Sequence, residues 1–147
     1  MTKKSETGKL GEDIACFYLV NKKYKIIDRN FRKPWGELDI IAKDPKDILV
    51  FVEVKSMRQF GNAAIQPEDN LTAAKLRKLK RTASLYAGSN PDLIDDEKGW
   101  RIDLVAITIP DERLIPLEAG VRCESSRPLM GLTDLLKYCE IKHYENI

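Results

Sequence analysis

Two short apolar segments carry the residue types that do chemistry: Gly36-Glu37-Leu38-Asp39-Ile40-Ile41 and Val50-Phe51-Val52-Glu53-Val54-Lys55. Side chains alternate between the two faces of a strand, so Glu37 and Asp39 point one way. Glu53 and Lys55 share a face by the same rule, and Val50, Val52 and Val54 share the other. A carboxylate in the middle of apolar sequence is expensive to bury. A divalent cation between two such strands would offset that cost, and a lysine beside it could position or activate a water. Cutting a phosphodiester needs its charge shielded, a deprotonated water and a stabilised leaving alkoxide. Carboxylate-bound Mg²⁺ or Mn²⁺ meets the first and third needs and acidifies a water. Asp39 and Glu53 are the natural ligands, with the Val54 carbonyl as a third. Lys55 would orient the water or offset transition-state charge, and Glu37 could hold a further water or a second metal. The alternative for the same letters is a cross-strand ion pair on a half-exposed sheet. The bare pattern is short and does not decide between the two.

The elements that must position these residues follow from periodicity. Residues 5–21 read as a helix with Leu10, Ile14 and Phe17 on one stripe and Ala15 and Leu19 opposite, capped by Ser5 or Thr7. Residues 24–30 read as a strand, and 32–36 as a turn. Strands over 37–43 and 48–57 follow, joined by a short turn that makes them an antiparallel pair. Residues 59–68 are irregular. A second helix spans 69–87, with Thr72, Leu76, Leu79, Ala83 and Tyr86 on one side. After an acidic loop over 88–99, Trp100–Ile109 is a strand stopped by Pro110. A weaker strand is expected at 113–117, loop over 119–131, and a short helix over 134–140 capped by Thr133. The order fits a mixed β-sheet flanked by helices, an α/β fold.

Composition narrows the classes. The 147 residues suit one domain with a real core, and 43% hydrophobic with 33% charged residues is an ordinary soluble balance. Net charge is only +2, so nucleic-acid binding must come from a local patch. No apolar run spans a membrane and none at the start makes a signal peptide. Cys16, Cys123 and Cys139 lack CxxC spacing, which argues against zinc and for a reduced, cytoplasmic protein. His143 is the only histidine, so no histidine triad is on offer.

Two basic clusters stand out. Lys75, Arg77, Lys78, Lys80 and Arg81 crowd the second helix. Such a run is usually a solvated face, but it can contact phosphates in a salt-dependent way. Arg32 and Lys33, with Arg29, flank Trp35, which either stacks on an unpaired base or packs over the core edge. Gln66 and Glu68 precede the second helix and could approach the acidic pair. Asp103 reads as a buried partner of Arg101 or of a basic helix residue.

An ordered set of motifs goes further: Gly8-Lys9-Leu10-Gly11-Glu12, Arg29-Asn30, the two acidic segments above, and Arg101-Ile102-Asp103-Leu104-Val105-Ala106. In this order they resemble the YraN-like family of bacterial proteins, which in turn resembles archaeal Holliday junction resolvases within the PD-(D/E)xK nuclease superfamily. The resemblance covers residues 5–109, leaving 110–147 as a C-terminal extension whose end looks like a last strand. It implies a restriction-endonuclease-like core with Asp39, Glu53 and Lys55 in the metal and catalytic positions. It also implies that Glu12 is the helix carboxylate that joins the site, and that the helix bearing Lys75 and Lys78 borders it. The expected activity is a Mg²⁺- or Mn²⁺-dependent endonuclease on branched or structured DNA, and a homodimer would suit a symmetric substrate. The rival expectations are a DNA-binding module without turnover and a protein–protein adaptor.

Overall fold

The structure, a computed structural model, describes residues 3–59, 65–110 and 132–147. The readings at 113–117 and 119–131, and Cys123, lie outside the described residues. Helix α1 (Lys3–Asn21) leads into strands β1 (Lys25–Lys33), β2 (Gly36–Lys43) and β3 (Leu49–Arg58). A single 3-10 turn (Pro67–Asn70) precedes helix α2 (Ala73–Ser89), and another (Pro91–Leu93) precedes β4 (Trp100–Ile109). Helix α3 (Leu132–Leu136) and strand β5 (Glu140–Tyr144) follow.

The sheet runs in the order β1-β2-β3-β4-β5. Both short connections make antiparallel hairpins, β1 with β2 and β2 with β3. Strands β3 and β4 are parallel over ten residue pairs, from Leu49↔Trp100 to Arg58↔Ile109. A parallel pair needs a long crossover, and α2 lies in it. Strand β5 returns antiparallel to β4, which places the expected terminal strand at the sheet edge.

The centre of the sheet is buried on both faces, and β1 at its edge is mostly exposed. Val50, Val52 and Val54 of β3 pack with Ile14, Ala15 and Leu19 of α1 and Leu135 of α3. Leu49 and Phe51 pack with Leu79, Ala83 and Ala87 of α2. The alternation read from the sequence therefore holds along β3. On α1 the buried face is Gly11, Ile14, Ala15 and Leu19, and Phe17 stays partly exposed at its rim. The two apolar stripes seen in sequence thus merge into one broad face against the sheet, centred off the Phe17 line.

Other boundaries move for local reasons. The expected helix start at 69 shifts to Ala73, because the Thr72 side chain caps α2 by accepting the Lys75 N–H. Thr72 is therefore a cap, not part of the apolar side. Ahead of it, the Asp69 carboxylate accepts the Gln66 N–H and folds residues 67–70 into the 3-10 turn. Arg32 and Lys33, expected in a turn, extend β1, and Pro34 and Trp35 alone link β1 to β2. Helix α3 begins at Leu132, so Thr133 lies inside it and not ahead of it, and residue 140 already belongs to β5.

Two glycines set how closely the helices approach. A Cβ on Gly11 would strike the Ser56 side chain on β3, and one on Gly36 would strike Thr82 on α2. Gly11→Ala gains helix propensity of about 1 kcal/mol but must push α1 off the sheet. We expect a net loss of about 1–3 kcal/mol in chemical denaturation. Adding Ser56→Gly should restore most of it; no recovery in the double variant would show that another contact is limiting.

Candidate active site

The acidic segments meet where β2 and β3 part. Their ladder runs from Lys43↔Leu49 to Ile40↔Val52 and stops there. The next free donor on β3, the Val54 N–H, goes to the Asp39 carboxylate, with Oδ2 at 2.9 Å. A side chain thus replaces the missing backbone partner, and this fixes Asp39 in the fork. The N–H and C=O of one strand residue face the same neighbouring strand. The Val54 carbonyl therefore faces the same fork as Asp39.

The fork opens because the β1–β2 hairpin turns over. Asn30 has a left-handed backbone, φ 53°, and lies opposite Asp39, between the pairs Arg29↔Ile40 and Phe31↔Leu38. Beyond this point Phe31 and Leu38 pack on the α2 side, whereas Ile40 packs on the α1 side. The twist swaps the faces of the hairpin around Asp39. Sequence alternation missed this, since only a left-handed residue reveals it; an Asn in mid-strand is the available hint.

Glu53 and Lys55 continue the Phe51 line and so point to the α2 side, where Lys55 Nζ lies 3.2 Å from Glu53 Oε1. Both are largely covered, with side chains 16% exposed for Glu53 and 23% for Lys55. Glu53 and Asp39 share a hydrogen bond. Burial, then the Asp39 charge, pushes Glu53 up to about 7. Burial also raises Asp39, against the Val54 N–H and Lys55, which favour its charge. Glu53 is therefore only partly ionised near neutral pH.

Glu12 reaches this site from α1. The close Gly11–Ser56 approach sets α1 on β3, next to the fork. Its carboxyl is half-buried, hydrogen-bonded to Asn30, and raised first by burial and then by Asp39. Arg29 and Arg32 act in the opposite sense. Arg29 is itself tied to Asp13 of α1 at 2.7 Å, a pair the sequence reading did not anticipate. Glu37 is exposed and close enough to raise Asp39.

The basic residues lie around this centre. Lys75 and Lys78 are exposed on α2, the helix on the side to which Glu53 and Lys55 point. Lys75 Nζ donates to the Asn70 carbonyl. Arg32 and Lys33 are exposed at the end of β1, where Arg32 lies opposite Glu37 in the strand ladder and the Lys33 ammonium sits over the Phe31 ring. Gln66 and Glu68 are turned to β5, where both accept from Lys142 Nζ and Glu68 also accepts from the Tyr144 hydroxyl.

Asp103 is not at the fork. It is fully buried at the register of Val52, on the α1 side of the sheet. Its carboxylate accepts from Arg101, from the Asn146 N–H and from the His143 ring at 2.8 Å. Arg101 also reaches Asp44 and the Tyr24 hydroxyl. A cavity of about 360 Å³ opens beside this cluster, lined by Lys22, Tyr24, Asp44, Arg101 and Glu145. It lies at the start of β3, away from Asp39 and Glu53.

Does this site suit a divalent cation? Among the described residues no three Asp, Glu, His or Cys side chains converge into a ready-made cage. Two covered carboxylates, Asp39 and Glu53, do lie together beside Lys55, and strand geometry turns the Val54 carbonyl to the edge where Asp39 is held. Mg²⁺ takes one or two carboxylates and keeps several waters, so this partial donor set suits it. The excess negative charge, expressed as a retained proton on Glu53, is what a cation would relieve.

That retained proton has a measurable consequence. An unfolded chain ionises Glu53 near 4.5, and the folded one near 7. Between those values only the unfolded state releases the proton, so stability falls as pH rises through the window and levels off above it. The loss should be about 2–3 kcal/mol. Urea denaturation in EDTA from pH 5 to 8 checks it, and Glu53→Gln should flatten the slope. An equal slope in the variant would place the proton elsewhere.

A five-stranded mixed sheet flanked by helices, forked at a carboxylate pair with a lysine, is of the restriction-endonuclease-like class. Residues 11–107 match the uncharacterised protein family UPF0102, and the chain belongs to that family, within the PD-(D/E)xK nuclease-like superfamily. A UPF0102 protein of Thermodesulfovibrio yellowstonii is 41% identical over 102 residues, covering 69% of this chain and 85% of the relative. One from Thermotoga maritima is 41% identical over 101 residues, 68% and 84% of the two chains. One from Clostridium botulinum is 44% identical over 104 residues, 71% and 80%. No helix among the described residues is long and apolar enough to cross a membrane.

Proposed function

We propose that this protein is a metal-dependent endonuclease that hydrolyses phosphodiester bonds in DNA, with branched or otherwise structured DNA as its substrate. The observation that carries the proposal is the covered Asp39–Glu53 pair, with Asp39 fixed by the Val54 N–H and Glu53 paired to Lys55, at the β2–β3 fork. Mg²⁺ or Mn²⁺ held by Asp39, Glu53 and the Val54 carbonyl would supply charge shielding and a more acidic water. The chain's own residues do the rest. The Val54 N–H holds Asp39 in place. Lys55 orients the attacking water and offsets charge on the phosphoryl oxygens as the transition state forms. Glu12, linked to Asn30, contributes a further carboxylate for ordering water at the rim. Lys75 and Lys78 on α2, with Arg32 and Lys33 on β1, contact the DNA backbone, so affinity falls as salt rises. A homodimer would match the symmetry of a four-way junction.

The rival with a specific observation behind it is a DNA-binding module without turnover. It rests on α2, whose sequence carries five basic residues and no acid. The discriminating experiment incubates labelled four-way junction, flap, single-stranded and duplex DNA with Mg²⁺, Mn²⁺ or EDTA. Metal-dependent products on a branched substrate are expected. Salt-sensitive binding without products under any metal would favour the binding module.

A further inference from the structure

The β1–β2 hairpin tip presents an aromatic surface that the fold leaves nearly half uncovered. Trp35 is 46% exposed, although a tryptophan in a tight turn would ordinarily fold over the nearby core. The other tryptophan does so: Trp100 lies edge-on against Phe51, with ring centroids 5.4 Å apart. The tip is anchored at its base. Gly36, the next residue, is buried in a contact with Thr82 too close to admit a Cβ, which clamps the hairpin to α2. Thr82 in turn donates to the Lys78 carbonyl one turn earlier in the same helix. The clamp therefore sets the tip beside the basic stretch of α2.

Charge around the tip has one sign in excess. Arg32 and Lys33 precede Trp35 and are exposed, and Glu37, opposite Arg32 in the strand ladder, is an acid close by. The neighbouring turn of α2 adds Lys78 and Arg81, both exposed. A rigid, exposed aromatic ring bordered by cations is the arrangement that takes a nucleic-acid base on its face and phosphates on its flanks. We infer that the hairpin tip is a stacking platform for an unpaired base, with Trp35 as the stacking surface and Arg32, Lys33 and Lys78 as phosphate partners.

This deepens, and rests on, the nuclease reading, because it assigns a substrate feature to the same site. Trp35 immediately precedes β2 and Asp39 lies four residues further along the chain, at most about 13 Å at strand spacing. That is the span of about four stacked nucleotides. The enzyme would then select DNA in which a base is unpaired a few nucleotides from the bond that is cut, as at a fork, a flap or a junction centre.

Binding without cleavage isolates this inference. Full-length wild type, Trp35→Phe and Trp35→Ala are titrated in EDTA against a labelled duplex with a single-stranded thymidine tail and against the same duplex blunt. Stacking contributions measured by alanine substitution place the expected loss for Trp35→Ala on tailed DNA at roughly 5- to 100-fold. Blunt duplex should change by less than about 2-fold, since it offers no free base face. Trp35→Phe should keep most of the tail preference. In a Trp100→Phe chain, Trp35 is the sole indole, and oligothymidine should quench its emission. Equal losses on both DNAs, no loss on either, or unquenched emission would overturn the inference. Cleavage reports separately. Metal-dependent products with an unaltered tail preference in Trp35→Ala would sink the platform and leave the nuclease. Trp35-dependent tail binding without products would do the reverse.

Discussion

Glu53→Gln should abolish metal-dependent cleavage while making the metal-free protein more stable at pH 8. The two effects have opposite signs because one carboxyl group serves both. In the folded chain Glu53 lies covered beside Asp39, with Lys55 as the cation at hand, and ionising it works against folding. Glutamine keeps the shape and can still hydrogen-bond to Asp39 without that cost. It removes a negatively charged oxygen from the donor set, however, and with it the charge that would hold a divalent cation. Removing a group that stabilises charge only in the transition state lowers the rate by about 10²–10³. Losing a cation ligand should cost at least that, and we expect a drop of about 10³ or more in single-turnover rate. A purely structural Glu53 would give the stability gain with no change in any rate. Lys55→Ala should also lose activity, without the gain in stability.

Asp103→Ala should unfold the protein more readily than any surface change, although Asp103 touches nothing at the fork. Its carboxylate is fully buried and balances Arg101, whose own side chain is 14% exposed. It also accepts from His143 of β5 and from the Asn146 N–H beyond it. One group thus ties the sheet edge and the last residues to β4. Removing it leaves a covered guanidinium with Asp44 as its remaining acid, at a cost of about 3–5 kcal/mol. For a chain of this size that is a fall of roughly 10–20 °C in Tm, read by calorimetry. The exposed Lys137–Asp134 pair, 3.8 Å apart, is the control, and Lys137→Ala should change little. Burial raises Asp103, but the bonds from His143, Arg101 and Asn146 outweigh it and hold the carboxyl below its usual value. Its stabilising contribution is therefore complete above about pH 4 and disappears in stronger acid. A small effect of Asp103→Ala would mean that Asp44 and Tyr24 suffice for Arg101.

What the sequence could show was set by period and by short range. Strand alternation separated Val50, Val52 and Val54 from Glu53 and Lys55, and the structure keeps that division. Strong β-formers ended by Pro110 placed β4 with the observed bounds. The mixed sheet with flanking helices was legible for the same reason. The fork was not legible. It depends on a left-handed Asn30 and on a ladder that stops at Ile40, neither of which has a periodic signature. The partners of Arg101 were only half visible. Asp103 is two residues away, but Asp44 and Tyr24 are separated by 57 and 77 positions, and only the folded sheet brings them together. Gln66 and Glu68 were readable as polar residues near the second helix, yet their partners on β5 lie some 75 residues downstream. Trp35 was equally ambiguous, since exposure at a hairpin tip is decided by the Gly36–Thr82 clamp and not by the tip's own residues.

The most direct test of the central claim is one cleavage experiment on the branched and linear DNA panel, with wild type beside Asp39→Asn and Glu53→Gln in Mn²⁺. Products from wild type alone, absent in EDTA and in both variants, are the predicted result. Products that persist in the variants or in EDTA would contradict it, because the β2–β3 fork would then not be where the bond is cut.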